Sequence, residues 1–148
     1  NIVSFSCGWF HALAADSKGA LYAWGGSVAG NKPVCGLGYG DGKDTPQLTP
    51  RRVKSLSESR VVSVACGHDH SMCVDASGRA WSWGSNDYGQ LGNGEAKVDR
   101  PFPTLLTPAH LPPVKYLAGG RAHTAAVTTG GALYCWGDIA VAVRVVWK

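Results

Sequence analysis

Charge is scarce in this chain: 16% of its 148 residues are Asp, Glu, Lys or Arg, against roughly 25% in an ordinary globular protein. Long, charge-laced helices are thereby excluded. There is no run of eighteen apolar residues, and Asn1 is not followed by a charged leader and an apolar stretch. Neither a membrane span nor a signal peptide is expected, and the absent start Met predicts a processed or partial chain. No G-x-S-x-G elbow and no G-x-x-x-x-G-K-[ST] loop occurs, so hydrolase and nucleotide-binding motifs are missing. Five cysteines, an odd number, stand at no zinc-like spacing, which predicts free thiols in a reducing compartment, cytoplasm or nucleus.

Apolar residues make up 45% of the chain, enough for a buried core in about one domain. Glycine and proline together number 28, about 19% of the chain, so turns must be numerous. The net charge of +4 is a mild excess without a block of like charges. The densest basic cluster, Arg51, Arg52 and Lys54, is short.

Self-similarity is the strongest signal. Cys7-Gly8-Trp9-Phe10-His11 recurs as Cys66-Gly67-His68-Asp69-His70 and as Gly119-Gly120-Arg121-Ala122-His123. Each is followed by a glycine (Gly19, Gly78, Gly131) and then by Trp-Gly at Trp24, Trp83 and Trp136. An aromatic precedes each Trp by two residues, at Tyr22, Trp81 and Tyr134, as a strand face requires. Tyr88-Gly89-Gln90-Leu91-Gly92 answers to Val34-Cys35-Gly36-Leu37-Gly38, with extra residues within Gly26 to Val34 of the first unit. Short β-branched runs at Val61 to Cys66 and Ser71 to Val74 read as strands. A fourth strand per unit is expected at Arg52 to Leu56 and at Pro103 to Leu106, the latter confined to an edge by its proline. Four short strands per period describe one propeller blade. The expected units are 1–60, 61–113 and 114–148.

Repeats reading C-G-x-x-H, W-G and G-Q-L-G resemble the regulator of chromosome condensation repeat, most fully over Trp83 to Gly92. The resemblance implies an all-β fold of four-stranded antiparallel blades, here an incomplete arc of the family's seven-bladed propeller. Three blades cannot close that ring, so the chain is expected to be part of a longer protein or to complete its ring with other subunits. After Gly137 the family pattern stops. Residues 138–148 alternate like a strand, and an edge strand and a boundary artefact are both open readings.

His11, His70 and His123 recur once per blade, which suits a structural hydrogen bond better than a convergent catalytic centre. Trp24, Trp83 and Trp136 read as packing residues. The cysteines at 7, 66, 73 and 135 read as small buried apolar side chains. No metal and no cofactor are expected, and the chain is read as non-catalytic. The variable residues between Gly and His are the candidate partner-binding positions: Trp9, Phe10, His68, Asp69 and Arg121, with Ala122 beside them, on one rim of the disc. Trp9 could equally tuck over its own blade, and the extra residues of Gly26 to Val34 could be a second surface or an idle turn.

The primary expectation is a scaffold that binds a protein partner through rim loops. In the branch that exchanges nucleotide on the small GTPase Ran, the resemblance implies an acidic residue before the repeat His on the GTPase-facing surface; Asp69 matches, Phe10 and Ala122 do not. In the ultraviolet-B-sensing branch the pattern is G-W-R-H-T; Trp9 matches its Trp, and Phe10 stands where its Arg would. A third reading attaches the chain to chromatin or nucleic acid through Arg51, Arg52, Lys54 and Arg60, although direct nucleic-acid binding is not the expected mode.

Overall fold

The computed structural model describes residues 1–26, 36–40, 46–95, 97–106 and 111–138, together with the backbone of 143–145. These residues form strands and one short 3₁₀ turn. The first sheet is β1 (Ile2–Cys7), β2 (His11–Asp16), β3 (Leu21–Gly25) and β4 (Gln47–Arg52). The second is β5 (Val61–Cys66), β6 (His70–Asp75), β7 (Ala80–Gly84) and β8 (Arg100–Leu105). The third is β9 (Val114–Gly119), β10 (His123–Thr128), β11 (Leu133–Gly137) and β12 (Val143–Val145). Every sheet runs in chain order, with antiparallel neighbours. The all-β reading and the four-stranded blade are therefore what the chain adopts.

Turn chemistry explains the hairpins. Between β2 and β3 the Asp16 carboxylate accepts the backbone N–H groups of Lys18 and Ala20, both at 2.9 Å, an arrangement Asp75 repeats with Ser77 and Arg79. Gly19 closes the turn at φ +87°, and a Cβ there would meet the Arg60 backbone at 2.8 Å. That close approach lets the Gly19 carbonyl accept the Val61 N–H at 3.0 Å, joining the first blade to the first strand of the second.

The fourth strands begin earlier than expected, at Gln47 and Arg100 rather than Arg52 and Pro103. Burial sets where the first of them ends. Val53 and Leu56, 1% and 3% exposed, are both drawn into the core between blades, and the 3₁₀ turn Lys54–Leu56 places residues three apart on one side while the chain crosses to the next blade. Pro50, Pro101 and Pro103 sit in β4 and β8, which pair on one side only, where a missing N–H is tolerated. Residues 143–145 pair with β11 as the fourth strand of the third sheet.

The core lies between blades. One cluster joins Leu13, Leu21, Leu37 and Val53 of the first unit to Val61, Val64, Cys73 and Trp83 of the second. A second joins Val74, Ala80 and Leu106 to Val114 and Ala126. The middle blade is thus covered on both faces, and every residue of β6 is buried. The outward face of the first blade is not: Ile2 and Phe5, counterparts of the buried Val61 and Val64, are 54% and 74% exposed. Cys7 corrects an expectation here. It is exposed although its counterpart Cys66 is buried, because no blade covers that face; Cys135 is half-buried.

Trp83→Ala is expected to destabilise by about 3–5 kcal/mol because it empties a fully buried site. Trp24→Ala, at the equivalent but half-exposed position, is expected to cost about 1–2 kcal/mol. Urea unfolding of the two variants checks the difference.

Candidate functional site

The C-G-x-x-H turn is built by its glycine. The His11 ring folds back onto Gly8, where a Cβ would lie 2.4 Å from the ring; at Gly67 and Gly120 the same atom would lie 1.9 and 2.2 Å from His70 and His123. Each glycine N–H donates to the carbonyl of its histidine at 2.8–2.9 Å, closing the turn. Trp-Gly completes it: Gly25, Gly84 and Gly137 sit at φ +93°, +104° and +103°, pressed against the carbonyl of the residue before the histidine.

The folded ring reaches the next blade. His11 Nε2 lies 2.8 Å from Ser71 Oγ, and Ser71 donates its single hydroxyl proton to the Gly36 carbonyl at 2.6 Å. The hydroxyl must therefore accept from His11 Nε2–H. Trp83 Nε1 donates to the same Gly36 carbonyl at 2.9 Å. The second junction repeats this with His70 to Thr124 at 2.9 Å, and Thr124 and Trp136 donating to the Gln90 carbonyl at 2.8 and 2.9 Å. Nδ1 of both histidines is buried without a partner, so the rings are held neutral. Burial, the largest cause, lowers both to a pKa of about 4. His123, in the last of the three sheets, is exposed.

These turns leave the variable residues on one rim. Trp9 N–H donates to the His68 carbonyl at 3.2 Å and His68 N–H to the Gly120 carbonyl at 3.1 Å, stitching the three turns into a row. Trp9 stacks on the His68 ring of the next blade, centroids 4.4 Å apart, and meets Phe10 edge-on at 5.9 Å. It remains 65% exposed and Phe10 44%. Asp69 Oδ2 lies 2.5 Å from His68 Nδ1. Arg121 is exposed, whereas Ala122 is buried.

The structure thus gathers Trp9, Phe10, His68, Asp69 and Arg121 on one rim, and places His11, His70, Trp83 and Trp136 at the junctions between blades. Trp24 and His123 lie at the open ends. Among the described residues no three His, Cys, Asp or Glu side chains gather into a metal-holding group. Burial pushes the Cys66 thiol up to about 12 and that of Cys73 higher still, which leaves both unreactive. Sequence reasoning missed the hydroxyls of Ser71 and Thr124. The residue after the repeat histidine is a hydroxyl in two units and Ala12 in the first, a signal that was present. It also missed Asn86, fully buried, whose Oδ1 accepts Leu91 N–H at 3.0 Å and holds the G-Q-L-G turn. The extra residues of the first unit lie outside the described residues apart from Gly26.

An unfolded histidine takes up a proton near pH 6.5, the folded His11 and His70 only near pH 4. Between those values the unfolded chain binds more protons, so stability is full above about pH 6.5 and falls as pH drops towards 4. The loss reaches up to about 3 kcal/mol per histidine at the acid end. Urea unfolding at pH 7, 5.5 and 4.5 checks this, in a window where Asp16 and Asp75, both held below the usual carboxylate range, stay ionised.

A model of the regulator of chromosome condensation (RCC1) repeat matches residues 18–74 and 77–127, and a second model of the same repeat matches 2–31 and 61–90. The human probable E3 ubiquitin-protein ligase HERC6 is 33% identical over 133 residues, which cover 90% of this chain and 12% of HERC6. The ultraviolet-B receptor UVR8 of Arabidopsis thaliana is 38% identical over 137 residues, 92% of this chain and 29% of the receptor. The crystal structure of human WBSCR16 has the same fold, with a TM-score of 0.84 at 23% identity over 98% of this chain and 38% of that one. The chain therefore spans well under half the length of each. With its blades, its turns and these matches in agreement, the chain belongs to the regulator of chromosome condensation (RCC1) repeat family.

Proposed function

We propose that this chain is a non-catalytic interaction segment of an RCC1-type propeller, its blades being 1–60, 61–113 and 114–148, that binds a protein partner at the rim formed by Trp9, Phe10, His68, Asp69 and Arg121. The observation that carries this reading is Trp9: a large aromatic, 65% exposed, with one side against a ring of the neighbouring blade. An aromatic packed in this way loses little conformational entropy on binding, which is the property of an interface hot spot.

Guanine nucleotide exchange on a Ran-type GTPase has Asp69 in its support, but the Asp69 carboxylate is already engaged by His68. A nucleic-acid surface would use Arg51, whose guanidinium instead covers the Tyr39 ring at 4.3 Å, and it would show steep salt dependence.

A photo-crosslinking amino acid placed at position 10, with position 48 on the exposed outer edge as control, separates these readings in cell extract. The expected result is a protein crosslinked from position 10 only, with or without added GTP. A GTPase captured only when nucleotide is absent would establish exchange instead, and no crosslink from position 10 would reject the rim.

A further inference from the structure

We infer that the rim selects a protein segment in which an acidic residue accompanies an apolar anchor; this rests on the rim being the binding surface. The turns of the three blades are hydrogen-bonded in series, so Trp9, His68 and Arg121 occupy the same position in successive blades and form one row. Their chemistry along that row is graded. Trp9 and Phe10 offer an exposed apolar corner, with the two rings edge to face at 5.9 Å.

In the middle of the row the polar side chains pair with each other. His68 Nδ1 and Asp69 Oδ2 hold each other at 2.5 Å, which takes one of the two Asp69 carboxylate oxygens away from an incoming lysine or arginine. At the far end Arg121 is exposed and takes part in no ion pair among the described residues. An arginine fork left open in this way matches a carboxylate in two parallel hydrogen bonds. The chain's net charge of +4 adds long-range attraction for an acidic partner. The occupant that fits is a segment placing a large aliphatic or aromatic side chain against Trp9 and Phe10 and an Asp or Glu on Arg121. A basic segment would meet Arg121 with like charge.

The test is selection of phage-displayed random peptides of about twelve residues on the whole chain, a length sufficient to cross a row of three turns. The enriched set should pair a large apolar residue with Asp or Glu. A synthetic copy of the best binder should weaken at least roughly tenfold with Trp9→Ala and with Arg121→Glu, weaken less with Arg121→Lys, which keeps the charge but not the fork, and be unaffected by Leu48→Ala. Enrichment of basic peptides, no enrichment, or binding indifferent to Arg121→Glu overturns the inference. Peptides that need Trp9 but carry no acidic residue overturn it while leaving the rim as the binding surface. Peptides indifferent to both Trp9 and Arg121 overturn the rim as well.

Discussion

The arrangement on which the rest of the molecule depends is the short relay that crosses each junction between blades: a histidine N–H, a hydroxyl, and a loop carbonyl shared with a tryptophan N–H. A blade is a small sheet that cannot bury both faces alone, so its stability comes from its neighbours. The apolar part of each junction would tolerate sliding; the relay does not, because each polar atom in it is buried and would be left unpaired by a shift. The motif residues follow from this. Glycine stands before the histidine because the imidazole lies on it, and glycine stands at 38 and 92 because the indole nitrogen of the next blade would be 2.6 and 2.4 Å from a Cβ.

The same relay marks the two open faces as different from the two internal junctions. Ala12 stands where Ser71 and Thr124 carry their hydroxyls, so the face of the first blade lacks the hydroxyl that each internal junction uses. The sequence of residues 138–142 holds no glycine and no counterpart of Gly36-Leu37-Gly38 or Gln90-Leu91-Gly92, whose first carbonyls receive the indoles. Exposed Ile2, Phe5 and Cys7 on one side and half-buried Val127, Leu133 and Cys135 on the other are blade-facing side chains without a blade.

Much of this was legible in the residues. Gly8, Trp24 and His11 and their repeats announce the period because a glycine required by a ring contact admits no substitute. The alternation of Tyr22 with Trp24 and of Trp81 with Trp83 announces strands. What escaped was what acts through the backbone or through a neighbour. Gln90 and Gly36 take part by their carbonyls, which no side-chain pattern reveals. The burial of Cys66 and the exposure of Cys7 are decided by whether a blade lies alongside, and the end of β4 is decided by the pull of Val53 and Leu56 into the core. The rim was legible as a set of variable positions, but the stacking of Trp9 on His68 and the pairing of His68 with Asp69 needed the fold.

The central claim is that the relay, and not apolar contact alone, fixes one blade against the next, and Ser71 tests it most directly. Ser71→Ala removes one oxygen, leaves His11 Nε2 without a partner and the Gly36 carbonyl with Trp83 Nε1 alone, and is predicted to destabilise by about 1–3 kcal/mol in urea unfolding. Ser71→Thr keeps the hydroxyl, as Thr124 does at the second junction, and is predicted to stay within about 1 kcal/mol of the original. Equal stability of the Ser71→Ala variant and the original chain would contradict the account.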